Sequence, residues 1–266
     1  MKLATFLVPG NERPQAGEVR GDEVVAFSDG TDVLGRLTSG DRTPAAGDAY
    51  ALADVELLAP IPEPRVLFGV GMNYRAHAAE MGNPVRSFPV IWTMSPSASA
   101  PPFAPVVCPS VVQQLDYEGE LVFVLGRDGE VAGYAVGDDL TARDIQDREP
   151  QWTRAKGADG TSPWGPWITT ADELGDPHDL RLRTWVNGEV RQDSRTSDLV
   201  FTVPEIVAFL RETNTLRPGD VVFTGTPVGV GYARDPQVFL GPGDVVRIEI
   251  DGLGAIEHTV ATVAAP

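Results

Sequence analysis

Short apolar segments separated by turn-forming residues dominate the hydrophobic pattern of this 266-residue chain. Most of the segments are rich in β-branched residues and end at Gly, Pro or Asp, which is typical of β-strands. We therefore predict strands over residues 3–8, 23–27, 66–70, 120–125, 131–136, 221–223, 245–250 and 256–260. Few helices are expected. The best candidate is 203–210, because Thr202 and Glu205 have the spacing of a capping box.

A proline-rich stretch divides this pattern into two parts. Residues 59–64 read Ala-Pro-Ile-Pro-Glu-Pro, a composition that favours an extended, stiff linker. Short β-like pieces alternate with polar turns before this stretch, and the apolar segments are longer after it. We predict a small N-terminal domain over residues 1–60 and a larger, β-rich domain over residues 65–266.

Composition narrows the classes of function. The chain has 21 Lys and Arg against 38 Asp and Glu, a formal net charge of −17, so nucleic acid and anionic membrane surfaces would be repelled. Cys108 is the single cysteine, which excludes an internal disulfide and a zinc site with two or more thiolates. The apolar run at the N-terminus is broken by Pro9 and lacks the features of a signal peptide. We expect a cytoplasmic protein with no nucleic-acid or membrane partner.

Three carboxylates form the first candidate site. Glu118 and Glu120 lie two residues apart at the start of a predicted strand, so their side chains share one face. On their own they could be an exposed pair at a sheet edge. A hairpin with the next strand, however, would bring Asp138 and Asp139 beside them. Three carboxylates without Cys or His suit Mg²⁺ or Mn²⁺, and one of the two aspartates could instead only cap a turn.

A histidine and a glutamate form the second candidate. His77 and Glu80 are three residues apart where a short helix is expected to begin, so they share a face and the carboxylate can orient the imidazole. Such a pair can act as a general base toward water. A lone histidine is more often structural, and His77 is the best placed of the three in the chain.

Two glycine-rich segments carry further polar groups. Lys156 and Asp159 lie in one of them, where a lysine among many acids would ordinarily be a solvated counter-charge. In the other, residues 223–231, glycines let backbone amides approach an anion and Thr226 adds a hydroxyl. This second segment lacks the lysine and spacing of a P-loop, and a tight turn is the alternative interpretation.

Taken in order, these motifs resemble the fumarylacetoacetate hydrolase family. The matching segments span about residue 65 to the C-terminus and are residues 71–80 (GMNYRAHAAE), 116–120 (DYEGE), 133–146 (GYAVGDDLTARDIQ), 156–167, 224–231 and 239–244. The resemblance implies an α+β, β-rich fold: a mixed β-sandwich or β-roll with a small N-terminal α+β domain, usually forming a homodimer.

The resemblance also implies roles for individual residues. Asp139 joins Glu118 and Glu120 as a ligand of Mg²⁺ or Mn²⁺, and Asp138 is its capping neighbour. The expected catalytic residues are His77, Glu80, Lys156 and Gln146. The expected substrate-binding residues are Arg75, Arg143, Asp159, Thr226 and Gly225.

The implied reaction is metal-dependent cleavage of a carbon–carbon bond in a small 2-oxo or 2,4-dioxo acid. It would be an acylpyruvate-type hydrolysis or a decarboxylation, proceeding through a metal-bound enolate. An isomerase or tautomerase of a 2-hydroxymuconate-type acid is the alternative, as is a catalytically silent, metabolite-binding dimer. One departure from the family bears on the substrate: Met94 and Ser95 stand where members often carry a lysine, so a cationic contact is expected to be missing.

Overall fold

The computed structural model describes residues 1–262. Within them the strands are β1 (Lys2–Leu7), β2 (Gln15–Arg20), β3 (Glu23–Ala26), β4 (Ala49–Ala51), β5 (Glu56–Leu57), β6 (Leu67–Gly71), β7 (Val90–Met94), β8 (Ser99–Ala100), β9 (Val106–Cys108), β10 (Leu115–Asp116), β11 (Gly119–Leu125), β12 (Val131–Asp138), β13 (Thr141–Ala142), β14 (Ser162–Thr170), β15 (Arg181–Val186), β16 (Glu189–Arg195), β17 (Val221–Phe223), β18 (Val245–Ile250) and β19 (Gly254–Thr262). The helices are α1 (Val33–Ser39), α2 (Arg75–Glu80), α3 (Arg143–Gln146), α4 (Thr153–Lys156), α5 (Ala171–Leu174) and α6 (Val203–Arg211).

The largest sheet is mixed and has the strand order β4-β3-β2-β1-β14-β12-β11-β17-β6-β7. The antiparallel hairpin of β11 and β12 lies near its middle, with Gly119 opposite Asp138 and Glu120 opposite Gly137. This is the hairpin predicted from the sequence. Every residue of β11 is buried, which explains its nearly continuous apolar run.

A second sheet, β16-β15-β18-β19-β9, packs against one face of this hairpin. Alternate residues of β11, namely Leu121, Phe123 and Leu125, share a core with Ile248 and other side chains of the second sheet. The intervening Val122 and Val124 belong to a different core on the opposite face. Successive side chains of a strand point to opposite faces of its sheet, so β11 contributes to a core on each face. The face toward the second sheet forms the interior of a β-sandwich. The predicted β-rich fold with mixed sheets is confirmed.

The N-terminal strands continue the large sheet. Leu3 of β1 pairs with Ile168 of β14, so β1–β4 extend the same hydrogen-bonded sheet outward. The proline-rich residues 59–64 lie in the connection between β5 and β6. Division of the chain into two domains near residue 60 stays a prediction.

Several elements were absent from the sequence prediction, and their composition explains why. Strand β16 has the sequence EVRQDSR and lies at the edge of the second sheet, so its outward face is polar and carries little hydrophobic signal. By contrast, α6 begins with the predicted capping box of Thr202 and Glu205. Across residues 1–262, none of the helices has the length and apolar character needed to cross a membrane.

Candidate active site

Three buried carboxylates meet where the β11–β12 hairpin opens. Glu118 immediately precedes β11, Glu120 lies within it, and Asp139 follows the last residue of β12. One oxygen from each lies within 4.8 Å of the others. The backbone holds this arrangement, because the amide of Asp139 donates to the carbonyl of Glu118 at 3.0 Å. The sequence-predicted triad is therefore brought together in space.

The ammonium of Lys156 lies against this triad. It is buried at the end of α4 and donates to Oε2 of Glu118 and Oδ2 of Asp139, both at 2.7 Å, and to Oγ1 of Thr141 at 2.9 Å. Oε2 of Glu120 instead accepts the backbone N–H of Gly225 at 2.7 Å. Lys156 is thus a partner of the acidic cluster and not a solvated counter-charge.

Burial and neighbouring charges move the pKa values of the three carboxyls apart. Burial alone raises the pKa of Glu118, but the charges of Lys156 and Arg143 outweigh it and lower this pKa to about 2. Burial raises the pKa of Asp139 to about 7, against the opposing charge of Lys156. The pKa of Glu120 lies well above its usual range because of burial, with Asp139 and Glu118 adding to the shift. The raised pKa values of Asp139 and Glu120 mean that a bound proton or cation stabilises these two buried carboxyls.

Arg143 connects the triad to the neighbouring wall. Its Nε donates to Oδ2 of Asp116 at 2.9 Å, one terminal nitrogen donates to Glu118 at 2.6 Å, and the other donates to Oε1 of Gln146 at 2.9 Å. The buried Asp116 also accepts the amides of Gly231 and Tyr232. Sequence reasoning gave Asp116 no role, although it opens the DYEGE motif.

The His77–Glu80 pair forms on α2 as predicted. Nδ1 of His77 lies 2.9 Å from Oε2 of Glu80, and Oε1 of Glu80 accepts the amide of Gly229 at 2.9 Å. The carboxylate therefore contacts both the imidazole and the glycine-rich loop. This contact holds the imidazole ring through Nδ1, and Nε2 is the ring nitrogen that it leaves unoccupied.

Part of this site lines one cleft of about 310 Å³, and Glu118 is the member of the triad on its wall. Of the sequence-predicted residues, those lining it are His77, Glu118, Arg143, Gln146, Lys156 and Thr226. Sequence reasoning missed Trp92 and Trp152, whose rings pack edge to face at a centroid distance of 5.1 Å and also line the cleft. The Lys156 ammonium lies 5.0 Å from the Trp92 ring centroid. Aromatic side chains spaced along a chain are usually core residues, so no local signal distinguished these two.

Other predicted substrate-binding groups are engaged by the protein itself. The hydroxyl of Thr226 donates to the carbonyl of Gly119 at 3.0 Å and accepts from Gln192 at 2.8 Å. The amide of Gly225 is bound to Glu120, and its φ of +102° with Val70 O 2.9 Å from an ideal Cβ position explains the glycine. Their roles toward a substrate stay predictions.

Two predicted substrate-binding residues lie outside the cleft. Arg75 donates to the carbonyls of Asp198 and Leu199, and Asp159 is exposed and accepts the hydroxyl of Ser97. Met94, which stands where family members often carry a lysine, is buried, with its sulfur 3.5 Å from Oγ of Ser162. The structure brings neither Arg75 nor Asp159 to the triad.

Asp138 and Asp139 play different structural parts. Oδ1 of Asp138 accepts the amide of Glu118 at 2.8 Å, and its Oδ2 lies 3.2 Å from Nε2 of the buried His258. Within residues 1–262, Oδ2 of Asp138 and Oδ1 of Asp139 are both buried without a hydrogen-bond partner, but only Asp139 groups with Glu118 and Glu120. A buried, unpaired carboxylate oxygen beside two further carboxylates fits a hard divalent cation, for which oxygen donors are preferred.

Comparison with known proteins decides the family. The profile described as Fumarylacetoacetate (FAA) hydrolase C-terminal matches residues 66–261. The chain belongs to the fumarylacetoacetate hydrolase family. The resemblance inferred from the motifs is thereby confirmed.

Relatives within the fumarylacetoacetate hydrolase family carry different activity names. The mitochondrial oxaloacetate tautomerase fahd2 of Xenopus laevis is 42% identical over 220 residues, covering 78% of this chain and 69% of that protein. A solved fumarylacetoacetate hydrolase from Exiguobacterium antarcticum is 36% identical with a TM-score of 0.87, covering 99% of this chain and all of that one. A maleylpyruvate hydrolase from Sphingobium sp. SYK-6, solved with manganese(II) and pyruvate, is 28% identical with a TM-score of 0.80, covering 99% and 100%.

Proposed function

We propose that this family member is a divalent-metal-dependent enzyme that interconverts the enol and keto forms of a small 2-oxo acid, with oxaloacetate as the first substrate to test. The observation that carries the proposal is one cleft lined by His77, whose ring contacts Glu80, by Lys156 and by Glu118, a member of the acidic triad. The name of the Xenopus laevis relative supports tautomerisation over the carbon–carbon cleavage expected first from the sequence.

The cation would be held by Glu118, Glu120 and Asp139. The buried Oδ1 of Asp139, which has no hydrogen-bond partner within residues 1–262, is suited to bind it. When bound, Mg²⁺ or Mn²⁺ supplies a Lewis acid that polarises the 2-oxo group and makes the adjacent C–H more acidic. The choice between the two metals is part of the proposal's test. The manganese in the maleylpyruvate hydrolase structure favours including Mn²⁺.

The chain's own residues move and stabilise charge. His77 is free at Nε2 to exchange a proton with the carbon next to the 2-oxo group, since Glu80 occupies Nδ1. Lys156 keeps a positive charge beside the triad, where negative charge accumulates on the substrate oxygen during enolisation. Gln146, whose Oε1 accepts from Arg143, presents its amide N–H₂ as a donor on the same wall.

Acylpyruvate hydrolysis is the second candidate. It is favoured by the same His77–Glu80 geometry, because an imidazole oriented by a carboxylate can also deprotonate water. The likeness to the maleylpyruvate hydrolase supports it. A catalytically silent dimer stays the least supported alternative, and the expected homodimer itself stays a prediction that light scattering can check.

One experiment separates these candidates. Metal-free protein is supplied with Mg²⁺ or Mn²⁺, and decay of the enol absorbance of oxaloacetate is followed alongside cleavage of a panel of acylpyruvates, with products identified by mass spectrometry. Faster enol–keto exchange without loss of carbon supports the tautomerase. Cleavage products without accelerated exchange would replace it with the hydrolase, and absence of any turnover with either metal would leave the silent dimer.

A further inference from the structure

Gln192 of β16 lies behind the acidic triad, on the second sheet. It is 1% exposed, and it is not among the residues that line the cleft. Its Oε1 accepts the backbone N–H of Gly119 at 3.0 Å. Its Nε2 donates to Oγ1 of Thr226 at 2.8 Å and to the carbonyl of Pro227 at 2.9 Å. All these partners belong to segments that carry or adjoin the triad.

The contact to Gly119 matters because of where this residue stands. Gly119 is the single residue between Glu118 and Glu120, so the orientation of its two peptide groups sets the directions of both carboxylates. Its N–H is held by Gln192, and its carbonyl accepts the hydroxyl of Thr226 at 3.0 Å. Gln192 and Thr226 are also hydrogen-bonded to each other, so two linked side chains clamp both the N–H and the C=O of Gly119.

The topology explains why side chains are needed here. Strand β17 pairs with β11 from Val122 to Val124, and the amide of Thr224 extends this pairing by one hydrogen bond, to the carbonyl of Leu121 at 3.0 Å. Gly119 lies beyond that pairing, and its buried N–H and C=O would otherwise lack partners. The amide of Gln192 and the hydroxyl of Thr226 replace the missing ladder hydrogen bonds. Thr184 and Gln192 can pack against this residue because Gly119 has no side chain: an ideal Cβ there would lie 2.3 Å from Thr184 Oγ1 and 3.2 Å from Gln192 Oε1.

We propose that Gln192 is a positioning residue that fixes the separation of Glu118 and Glu120 for a divalent cation. The inference rests on the proposed function only in taking these carboxylates as metal ligands. Substituting Gln192 should therefore weaken metal binding without replacing any residue that lines the cleft. Outer partners of metal ligands commonly contribute about 10–100-fold to metal affinity.

The test measures Mn²⁺ affinity directly, from the electron paramagnetic resonance signal of free Mn²⁺, without any turnover. Gln192→Met keeps the side-chain length and removes both hydrogen-bonding groups, and its expected loss of affinity is about 10–100-fold. Thr184→Val is the matched control. Thr184 pairs with Gln192 across β15 and β16 and packs behind Gly119, yet its buried hydroxyl has no hydrogen-bond partner among residues 1–262. Its variant should bind Mn²⁺ as the wild type does.

A second pair of variants covers the case in which Gln192→Met does not fold. Thr226→Val removes the hydroxyl that joins Gln192 to Gly119, whereas Thr226→Ser keeps it. Weakened Mn²⁺ binding in Thr226→Val with near wild-type binding in Thr226→Ser supports the clamp. Equal affinities in these two variants would overturn it.

The remaining outcomes separate this inference from the proposed function. If Glu118→Gln abolishes Mn²⁺ binding while Gln192→Met binds as tightly as the wild type, the positioning role is wrong and the metal site stands. If the variants behave as expected but the loaded wild type turns over no 2-oxo acid, the positioning role stands and the proposed reaction fails. A wild-type protein that binds no Mn²⁺ would overturn both.

Discussion

Nζ of Lys156 lies 2.7 Å from Oδ2 of Asp139, so a buried ammonium already neutralises part of the acidic triad. Metal binding must therefore proceed in the presence of a resident positive charge. This relationship gives Lys156 two opposed effects. The ammonium stabilises the folded metal-free protein, and it weakens the attraction of the triad for a metal cation.

Replacing Lys156 with Met should separate these effects. Breaking a buried ion pair leaves carboxylates uncompensated, so the free energy of unfolding of the metal-free protein should fall by about 3–5 kcal/mol. Mn²⁺ should bind more tightly in mildly alkaline buffer, because the triad keeps its negative charge without a competing ammonium. Turnover should still fall. Urea unfolding and calorimetric titration measure the first two quantities.

Arg154→Met is the control for this substitution. Arg154 lies on the same helix, α4, but its guanidinium is exposed and pairs with Glu149. Removing a surface charge of this kind changes stability by at most about 0.5 kcal/mol. Mn²⁺ affinity that falls in Lys156→Met would show that the ammonium supports the metal site instead of opposing it.

The adjacent aspartates should respond differently to loss of charge. Asp139→Asn removes a proposed ligand charge and should lose most Mn²⁺ affinity, and with it the rise in melting temperature that Mn²⁺ gives the wild type. Asp138→Asn keeps a side-chain oxygen to accept the amide of Glu118, so it should lose much less. Differential scanning fluorimetry with and without Mn²⁺ compares the two. Loss confined to Asp138→Asn would reverse the assignment.

The triad could be predicted from the sequence because its geometry is local. The spacing of Glu118 and Glu120 fixes their shared face, and one hairpin suffices to bring Asp138 and Asp139 beside them. The choice of Asp139 over Asp138 came from the family resemblance. The same is true of His77 and Glu80, which need a single helical turn. Where periodicity and one short connection determine the geometry, the chain alone is informative.

Residues that act across sheets could not be found this way. Gln192 reaches Gly119 from the second sheet, 73 residues away along the chain, and nothing in the polar sequence around it indicates a partner. Trp92 and Trp152 form part of the cleft only because β7 and the segment before α4 meet. Arg75 and Asp159 show the converse: membership of a matching motif did not bring them to the cleft.

Arg143→Lys should show whether the guanidinium geometry matters beyond its charge. A lysine can keep the charge, but its single compact ammonium does not reproduce the planar guanidinium, whose three nitrogens donate separately to Asp116, Glu118 and Gln146. We expect the free energy of unfolding to fall by about 1.5–3 kcal/mol, the usual value of a lost hydrogen bond to a charged group. Turnover should fall as well, because Gln146 loses the partner that orients its amide. Chemical denaturation and steady-state kinetics measure these effects.

Arg154→Lys is the matched control, since both the charge and the class of substitution are the same at an exposed position. It should change neither quantity measurably. An Arg143→Lys variant with wild-type stability and turnover would show that only the charge of Arg143 is required.

His77→Ala should test the imidazole as the proton-transfer group. Turnover should fall by about 10²–10⁴, the usual contribution of a positioned acid or base, while Mn²⁺ affinity stays unchanged because His77 is not part of the triad. Stopped-flow kinetics on enol oxaloacetate and calorimetric Mn²⁺ titration give the two quantities.

Glu80→Gln tests whether Glu80 holds His77 in the tautomer that acts as base. Oε1 of Glu80 accepts the amide of Gly229, so a glutamine that keeps this contact turns its N–H₂ toward Nδ1 of His77. An N–H₂ donor there requires Nδ1 to accept, which places the proton on Nε2 and opposes the neutral tautomer that acts as base. Glu80→Gln should thus lower turnover, but less than His77→Ala does, because the imidazole remains in the cleft. Wild-type turnover in His77→Ala would leave the imidazole a structural group and make Lys156 the next candidate for proton transfer.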